Sequence, residues 1–304
     1  MSDKFKIGID YGGTKIEAIL INDKGEEIKR ERSHYDQNYE SGISTVKKFV
    51  ESFKKISNEE ATVGMAIPGF LSNETGLVHN ANSDWLNNKF FKKDLETSLN
   101  CEIKMMNDAN CFTLSEAIDG AGKDFKSVFG VIIGTGFGGG LSFKKEIIEG
   151  ANQVAGDWGH QPLPYPTSEE IGTEIKCVSP TCGRPLCAEQ FISGTGFANV
   201  FNNKYNTKLT SPEIVELDKN KDQRADNELK LYEDRFARLI SVMIGVFDPE
   251  AIILGGGMSN IDRLYNNLPK IIPKYTFSEK VRTKVLKNKH GDSSGVRGAA
   301  WLWN

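Results

Sequence analysis

The sequence predicts an α/β protein of two lobes, and three observations lead to that prediction. The chain has 304 residues, enough for one large domain or, better, for two lobes. Its first third alternates short apolar runs of strand length with amphipathic helical patterns, and this alternation restarts near residue 127. Three of the predicted strands end in glycine-rich turns, at residues 12–14, 134–136 and 255–257.

The composition excludes several classes of protein. Apolar residues make up 38% and aromatic residues 10% of the chain, which is enough for packed cores and argues against disorder. A net charge of -3 provides no basic surface for nucleic acid. No run approaches the roughly 20 apolar residues of a membrane helix. The N-terminus leads straight into a strand pattern, so we expect no signal peptide and a cytoplasmic location.

The first third contains the clearest alternation. We predict strands at 5–10, 17–22, 26–33, 62–67 and 102–106, with helices at 43–56 and 90–99. Asn107 and Asp108 stand where the next helix begins, and either side chain is suited to cap it.

The remainder begins with strands and ends with helices. Strands are predicted at 127–133, 138–143 and 251–254, with an irregular stretch at 150–189. The helix predicted at 228–247 has an apolar stripe that includes Val246. The last helix, at 296–303, is rich in small residues that permit close packing on a neighbour.

The glycine turns indicate a nucleotide, although not in a dinucleotide-binding fold. Residues 134–139 match G-x-G-x-x-G, but they stand between two strands, whereas that motif requires a strand followed by a helix. Separated glycine turns, two of them with threonine, fit a nucleotide held in a cleft between lobes. The first turn, after Asp10, is equally compatible with a simple hairpin when taken alone.

The cysteines add a further candidate site. Three of the five, Cys177, Cys182 and Cys187, lie in one loop, which in a reducing compartment indicates a metal more than disulfides. Two C-x₄-C steps are not a standard zinc knuckle, so spacing alone leaves zinc and unliganded thiols equally open. Cys101 and Cys111 have apolar neighbours and are predicted to be core residues.

Six segments in order resemble one family over essentially the whole chain. They read DYGGTK at 10–15, GMAIPG at 64–69, NDAN at 107–110, GTGFGGG at 134–140, AGDWGH at 155–160, and DPE at 248–250 with GGG at 255–257. Together they resemble the ROK family of sugar kinases and sugar-responsive repressors. The resemblance implies an actin-like, hexokinase-like (ribonuclease H-like) ATPase fold, with two lobes around a nucleotide cleft. It places residues 1–116 and 294–304 in a small lobe and 117–293 in a large lobe with a zinc loop.

The same resemblance assigns residues to the sugar. It makes Asp108 the general base that accepts the proton of the attacking hydroxyl; without it, Asp108 is more simply a helix cap. The other sugar-binding residues that it implies are Asn82, Asn107, Asp157, His160 and Glu189. Asp157 stands where the family has glutamate, so its side chain is one methylene shorter. The polar loop that contains Asn80, Asn82 and Ser83 fits sugar contacts or a solvent-exposed turn equally well.

It also assigns the nucleotide and metal sites. Asp10 would hold Mg²⁺ through water, and backbone N–H groups of two glycine turns would bind the phosphates. Lys15 would contact phosphate or remain solvated. The nucleotide-binding residues implied in this way are Asp10, Gly12, Gly13, Thr14, Lys15, Gly134, Thr135, Gly136, Gly256 and Gly257. His160, Cys177, Cys182 and Cys187 would form a structural Zn²⁺ site with no open position for catalysis.

The expected activity is transfer of phosphate from ATP to the C6 hydroxyl of a hexose. Segments 80–87 and 290–303 look most like the fructokinase/mannokinase branch, so fructose is the expected substrate, with mannose or glucose as further acceptors. The alternative is an N-acetylglucosamine kinase of the same family.

A sugar-responsive regulator is less favoured, because the first phosphate turn begins ten residues from Met1 and leaves no room for a helix-turn-helix domain. A filament ATPase would need neither Asp108 nor the metal loop. We expect ATP, Mg²⁺ and structural Zn²⁺ as cofactors, no nucleic acid or membrane partner, and a homodimer.

Overall fold

The computed structural model describes residues 4–58, 60–172, 177–179, 182–291 and 294–304. Its strands are β1 (Phe5–Tyr11), β2 (Lys15–Asn22), β3 (Glu27–His34), β4 (Thr62–Ile67), β5 (Phe70–Leu71), β6 (Val78–His79), β7 (Ile103–Asn107), β8 (Ser127–Ile133), β9 (Phe137–Phe143), β10 (Glu146–Ile147), β11 (Ala251–Gly255) and β12 (Lys284–Lys287). Its α-helices are α1 (Tyr39–Ile56), α2 (Phe91–Leu99), α3 (Asp108–Ile118), α4 (Ser168–Ile171), α5 (Ala188–Ile192), α6 (Gly194–Tyr205), α7 (Ser211–Lys219), α8 (Gln223–Phe247), α9 (Arg263–Ile271) and α10 (Ser294–Trp301).

Two five-stranded sheets have the same strand order. The first sheet runs β3-β2-β1-β4-β7 and the second runs β10-β9-β8-β11-β12. In each, the first three strands in the chain pair antiparallel, and two more strands then add in parallel beside the first. Because parallel strands end at a common edge, the turns after β1 and β8 lie at equivalent edges of the two sheets.

The helices divide into a group on each sheet and a pair between them. Helices α1 and α2 pack on the first sheet around Phe53 and Phe91, and α8 packs on the second sheet around Phe236. Helices α3 and α10 contact each other and reach strands of both sheets. The small residues of α10 permit this: a Cβ on Gly298 would overlap the Cys111 carbonyl. The predicted close packing of the last helix is therefore confirmed.

Most predicted elements agree with the structure to within a few residues, and the differences have simple causes. Helix α8 begins at Gln223, because Asp222 caps it five residues before its predicted start. Val246 is 81% exposed, so its predicted place in the buried stripe is wrong; the helix projects beyond the core near its C-terminus. Cys111 is buried as predicted, whereas Cys101 is partly exposed.

None of the helices that the described ranges contain is long and apolar enough to cross a membrane. The predicted lobe boundaries stay a prediction, as does the homodimer.

Candidate active site

Asp108 lies at the bottom of a cleft, directly after β7. The side chain of Asn107 accepts a hydrogen bond from the backbone N–H of Asn110 at 2.8 Å and so provides the N-cap of α3. The helix therefore does not need the Asp108 carboxylate as its cap. One Asp108 oxygen accepts from the N–H of Ala109 at 2.8 Å, and the carboxylate remains open to water in the cleft. This arrangement favours a chemical role for Asp108 over the capping alternative.

Asp10 and Asp108 form a pair of carboxylates with raised pKa values. Burial, and after it the negative charge of Asp108, raise the pKa of Asp10 to about 7. The pKa of Asp108 is raised as well, because the surrounding protein partly desolvates its carboxylate at the bottom of the cleft. Two nearby carboxylates of this kind are stabilised in their charged form by a divalent cation.

The turn after β1 is held by its own backbone and by one tyrosine. The N–H of Gly12 donates to the Lys15 carbonyl at 3.1 Å, and the Tyr35 hydroxyl donates to the Gly12 carbonyl at 3.0 Å. The side chains of Thr14 and Lys15 are exposed. Ser83 is buried beside Gly13 and does not line the cleft, so its expected role as a direct sugar contact is not supported.

The turn after β8 is shared by two cavities. The Gly134 N–H donates to the Gly136 carbonyl at 3.0 Å, and the Gly134 carbonyl accepts from Gly194 at 2.8 Å. Gly134 and Thr135 line a central cavity of about 770 Å³ and also a second cavity of about 500 Å³. A ligand that passes over this turn would therefore extend from one cavity into the other.

With the exception of Ser83, the central cavity brings together every residue that the sequence assigned to the sugar. These side chains come from four separate segments of the chain, at 80–82, 107–108, 157–160 and 189. The set is Asn80, Asn82, Asn107, Asp108, Asp157, His160 and Glu189. Gln153, Val154 and Arg184 also line it; no sequence motif identified these three.

Glu189 connects the cavity wall to both the second phosphate turn and the cysteine cluster. The carboxylate is buried, and its Oε2 accepts a hydrogen bond from the Phe137 N–H at 3.1 Å. Its Oε1 lies 3.7 Å from the Cys177 Sγ. A shift in the cysteine loop would therefore change the position of this carboxylate.

The four predicted metal ligands converge despite the unusual spacing of the cysteines. One ligand atom from each of His160, Cys177, Cys182 and Cys187 lies within 4.8 Å of the others. Cys187 Sγ is 3.2 Å from Cys177 Sγ, 3.6 Å from Cys182 Sγ and 3.5 Å from His160 Nδ1. These separations are far longer than a disulfide bond of about 2.05 Å. They approach the roughly 3.8 Å between thiolates that share a tetrahedral zinc with Zn–S bonds of about 2.3 Å, so the donor set fits zinc.

The second cavity is lined by the C-terminal glycine turn and by α6 and α7. Gly257 lines it, whereas Gly256 (φ +77°) packs against the Ile133 backbone, where any Cβ would overlap the carbonyl oxygen. Its polar walls include Thr195, Ser211 and Lys219. Sequence analysis missed these residues, although the capping box from Thr210 to Glu213 marks the start of α7.

A model of the ROK family matches residues 6–304. The chain belongs to the ROK family. N-acetyl-D-glucosamine kinase from Vibrio cholerae serotype O1 is 36% identical over 296 residues, which cover 97% of this chain and 98% of the relative. The enzyme of the same name from Pasteurella multocida is 37% identical over 300 residues, which cover 98% and 99%.

Solved ROK structures share the fold. A ROK hexokinase from Thermus thermophilus has a TM-score of 0.86 at 21% identity, and each chain is covered over 98% of its length. A ROK glucokinase from Streptomyces griseus, solved with glucose and AMPPNP, has a TM-score of 0.74 at 22% identity and the same coverage. The predicted hexokinase-like, actin-like fold is confirmed.

At the level of the family, the predicted activity holds: the protein is an ATP-dependent sugar kinase. The two curated relatives named above are N-acetyl-D-glucosamine kinases. The expected resemblance to the fructokinase/mannokinase branch is therefore not supported.

Proposed function

We propose that this protein transfers the γ-phosphoryl group of MgATP to the C6 hydroxyl of N-acetyl-D-glucosamine. The observation that carries the proposal is the 36% identity, over nearly the full length of both chains, to a kinase of that name. The sequence analysis gave this substrate as the alternative to fructose. The cavity is consistent with it, because apolar residues such as Phe70, Val154 and Ala155 line it beside polar ones, and an acetamido group combines a polar amide with a methyl.

In this proposal Asp108 is the general base. It is the carboxylate at the cleft bottom that the helix does not use as its cap, and it would accept the proton of the sugar hydroxyl as the oxygen attacks phosphorus. Asn107 would orient the same sugar. Asp10, near the end of β1 in the same sheet, would hold the Mg²⁺ that neutralises charge on the phosphates.

The two glycine turns would bind the phosphates from opposite sheets. Gly12, Gly13 and Thr14 would contribute from the turn after β1, together with Lys15 if its exposed ammonium reaches the phosphates. Gly134, Thr135 and Gly136 would contribute from the turn after β8. Backbone N–H groups suit this task, because they present donors without a side chain between them and the ligand. The adenosine would then occupy the second cavity beside Gly257.

The remaining polar residues of the central cavity would hold the sugar. Glu189 and Asp157 would accept hydrogen bonds from ring hydroxyls, with Asn82 and His160 completing the ring of contacts. Zinc bound by His160 and the three cysteines would fix the loop that carries these groups. Four protein ligands leave no position open for water, so the metal would be structural.

A coupled ADP-release assay across several sugars tests the proposal. We expect kcat/KM for N-acetyl-D-glucosamine to exceed those for N-acetyl-D-mannosamine, glucose, mannose and fructose by at least about tenfold, the scale on which one missing group is discriminated. The 6-deoxy analogue of the best sugar should bind without turnover. A higher kcat/KM for fructose or mannose would overturn the proposed substrate, and turnover of the 6-deoxy sugar would overturn the proposed position.

A further inference from the structure

The loop at 149–157 lines the central cavity, called the sugar cavity below after its proposed function, and touches the β5–β6 hairpin of the first half of the chain. Gln153 makes the connection with both ends of its amide. Its Nε2 donates to the Leu71 carbonyl at 2.9 Å, and its Oε1 accepts from the Asn73 N–H at 3.0 Å. The Gln153 side-chain amide therefore makes one donor and one acceptor hydrogen bond with the hairpin backbone, as the backbone of an adjacent strand would.

The loop is built to present this side chain. The Gln153 N–H donates to the Gly150 carbonyl at 3.3 Å, and the Ala155 N–H donates to the Glu149 carbonyl at 3.2 Å. Gln153 itself has φ +56°, a left-handed conformation that costs free energy for a residue with a Cβ. At the base of the loop, Gly156 (φ +88°) packs against the backbone of β9, where a Cβ would lie 2.8 Å from the Gly139 carbonyl oxygen.

The two segments that Gln153 joins each carry part of the wall of the sugar cavity. The hairpin leads directly into Asn80 and Asn82, and the loop leads directly into Asp157. Gln153 also lines both the central cavity and a small adjoining one that is bounded by Phe70 and Asn110. The spacing between the walls therefore depends on these two hydrogen bonds.

We propose that Gln153 is a positioning residue that holds the two walls of the cavity at the spacing the sugar requires. This rests on the proposed function of the site. Gln153 touches no reacting atom. Its hydrogen bonds instead raise the fraction of molecules in which the cavity has the spacing that binds the sugar. A smaller fraction raises the apparent dissociation constant of the sugar in proportion. The nucleotide, which lies on the glycine turns, is not affected.

Gln153→Met and Gln153→Gly test this together. Methionine keeps the length of the side chain but cannot make either hydrogen bond, and glycine also removes the backbone strain at φ +56°. We expect both variants to raise KM about tenfold for the sugar that the wild type phosphorylates best, since two neutral hydrogen bonds are lost. KM for ATP and kcat at saturating sugar should stay within about twofold.

Two further measurements separate positioning from a general structural role. Small-angle scattering should show a larger radius of gyration for the sugar-free variants than for the sugar-free wild type, and saturating sugar should remove the difference. Lys145→Gly is the matched control, because Lys145 also has positive φ (+67°) but lies at the tip of the β9–β10 hairpin; its sugar KM should not change.

The proposal fails if both Gln153 variants keep the wild-type sugar KM, whatever happens to their melting temperature. It also fails if KM rises equally for sugar and ATP, since that would indicate general damage. Activity of the wild type on the sugar panel tests the proposed function separately, so the two failures are distinguishable.

Discussion

The two sheets have one strand order but place different groups at their equivalent edges. In the first half, Asp10 is the penultimate residue of β1, and β7 is followed by Asp108. In the second half, β8 is followed by Gly134, and β12 by Asn288, whose amide donates to the Leu254 carbonyl at 2.9 Å. The same topology thus places different groups at the two equivalent edges. One edge carries two carboxylates, and the other presents glycine backbone.

Removing the base should have the largest effect. Asp108→Asn keeps the side-chain volume but cannot accept the hydroxyl proton at the required moment. We expect kcat to fall about 10²- to 10⁴-fold, the usual contribution of general base catalysis, while calorimetry still detects sugar binding. Asp124→Asn is the control, because Asp124 is an exposed aspartate on the loop before β8. Near-normal turnover in Asp108→Asn would end its assignment as the base.

The raised pKa of Asp108 also sets the pH dependence of wild-type activity. The base must be unprotonated, so kcat/KM should fall as pH falls through a pKa above the usual value of about 4 for aspartate. A pH series at saturating Mg²⁺ measures this limb. An acid limb at or below pH 4 would contradict the expected environment of Asp108.

Asp10→Asn should lower activity and raise stability at once. Without metal, the folded-state pKa of Asp10 is raised to about 7, against about 4 in the unfolded chain. The folded protein therefore binds this proton more tightly, and stability falls as pH rises from about 4 to about 7. Asparagine removes that penalty, so in EDTA we expect the melting temperature at pH 7.5 to rise by about 2 °C or more.

The gain should shrink as pH falls from about 7 to about 4 and vanish near pH 3, where Asp10 is protonated in both the folded and the unfolded state. Mg²⁺ should raise the melting temperature of the wild type at pH 7.5 but not that of Asp10→Asn, and kcat/KM of the variant should fall at least about tenfold. Equal melting temperatures for the two proteins at pH 7.5 in EDTA would show that Asp10 carries no such penalty.

Sequence patterns predicted the parts of this contrast that depend on short segments. The phosphate turns, the Asn107–Asp108 helix start and the cysteine loop each lie within a few residues, so local motifs identify them. The burial of Ser83 and the span of Gln153 to Leu71 and Asn73 could not be predicted, because they depend on how distant segments pack. Nor does any local pattern reveal that two C-x₄-C steps converge on His160.

Replacing glycine by alanine in each of the two glycine turns should distinguish an effect on nucleotide binding from an effect on folding stability. A Cβ on Gly134 would meet no protein atom within 4 Å, whereas a Cβ on Gly12 would lie 2.9 Å from the Lys15 carbonyl oxygen. We expect Gly134→Ala to keep its melting temperature and to raise KM for ATP about 10- to 100-fold, the usual range for overpacking by a methyl. Gly12→Ala should raise KM for ATP and also lower the melting temperature. An unchanged KM for ATP in Gly134→Ala would exclude this turn from the phosphate site.

Removal of the metal should have the smallest effect on chemistry, because four protein ligands leave the zinc no open position. We expect the purified protein to contain one zinc per chain by elemental analysis and Cys182→Ser to contain less. The variant should lose thermal stability and show a sugar KM raised by no more than about tenfold, since Glu189 lies against Cys177. KM for ATP should change by a smaller factor than the sugar KM, because Glu189 links the cysteine loop to the end of the turn after β8, whereas the turn after β1 and the second cavity lie outside that loop. Cys101→Ser, at a partly exposed cysteine far from the cluster in sequence, should retain full zinc content. A wild-type protein that contains no zinc would contradict the proposed metal site. A fall in the kcat of Cys182→Ser by a larger factor than the rise in its sugar KM would show that the second half of the chain contributes to the chemical step.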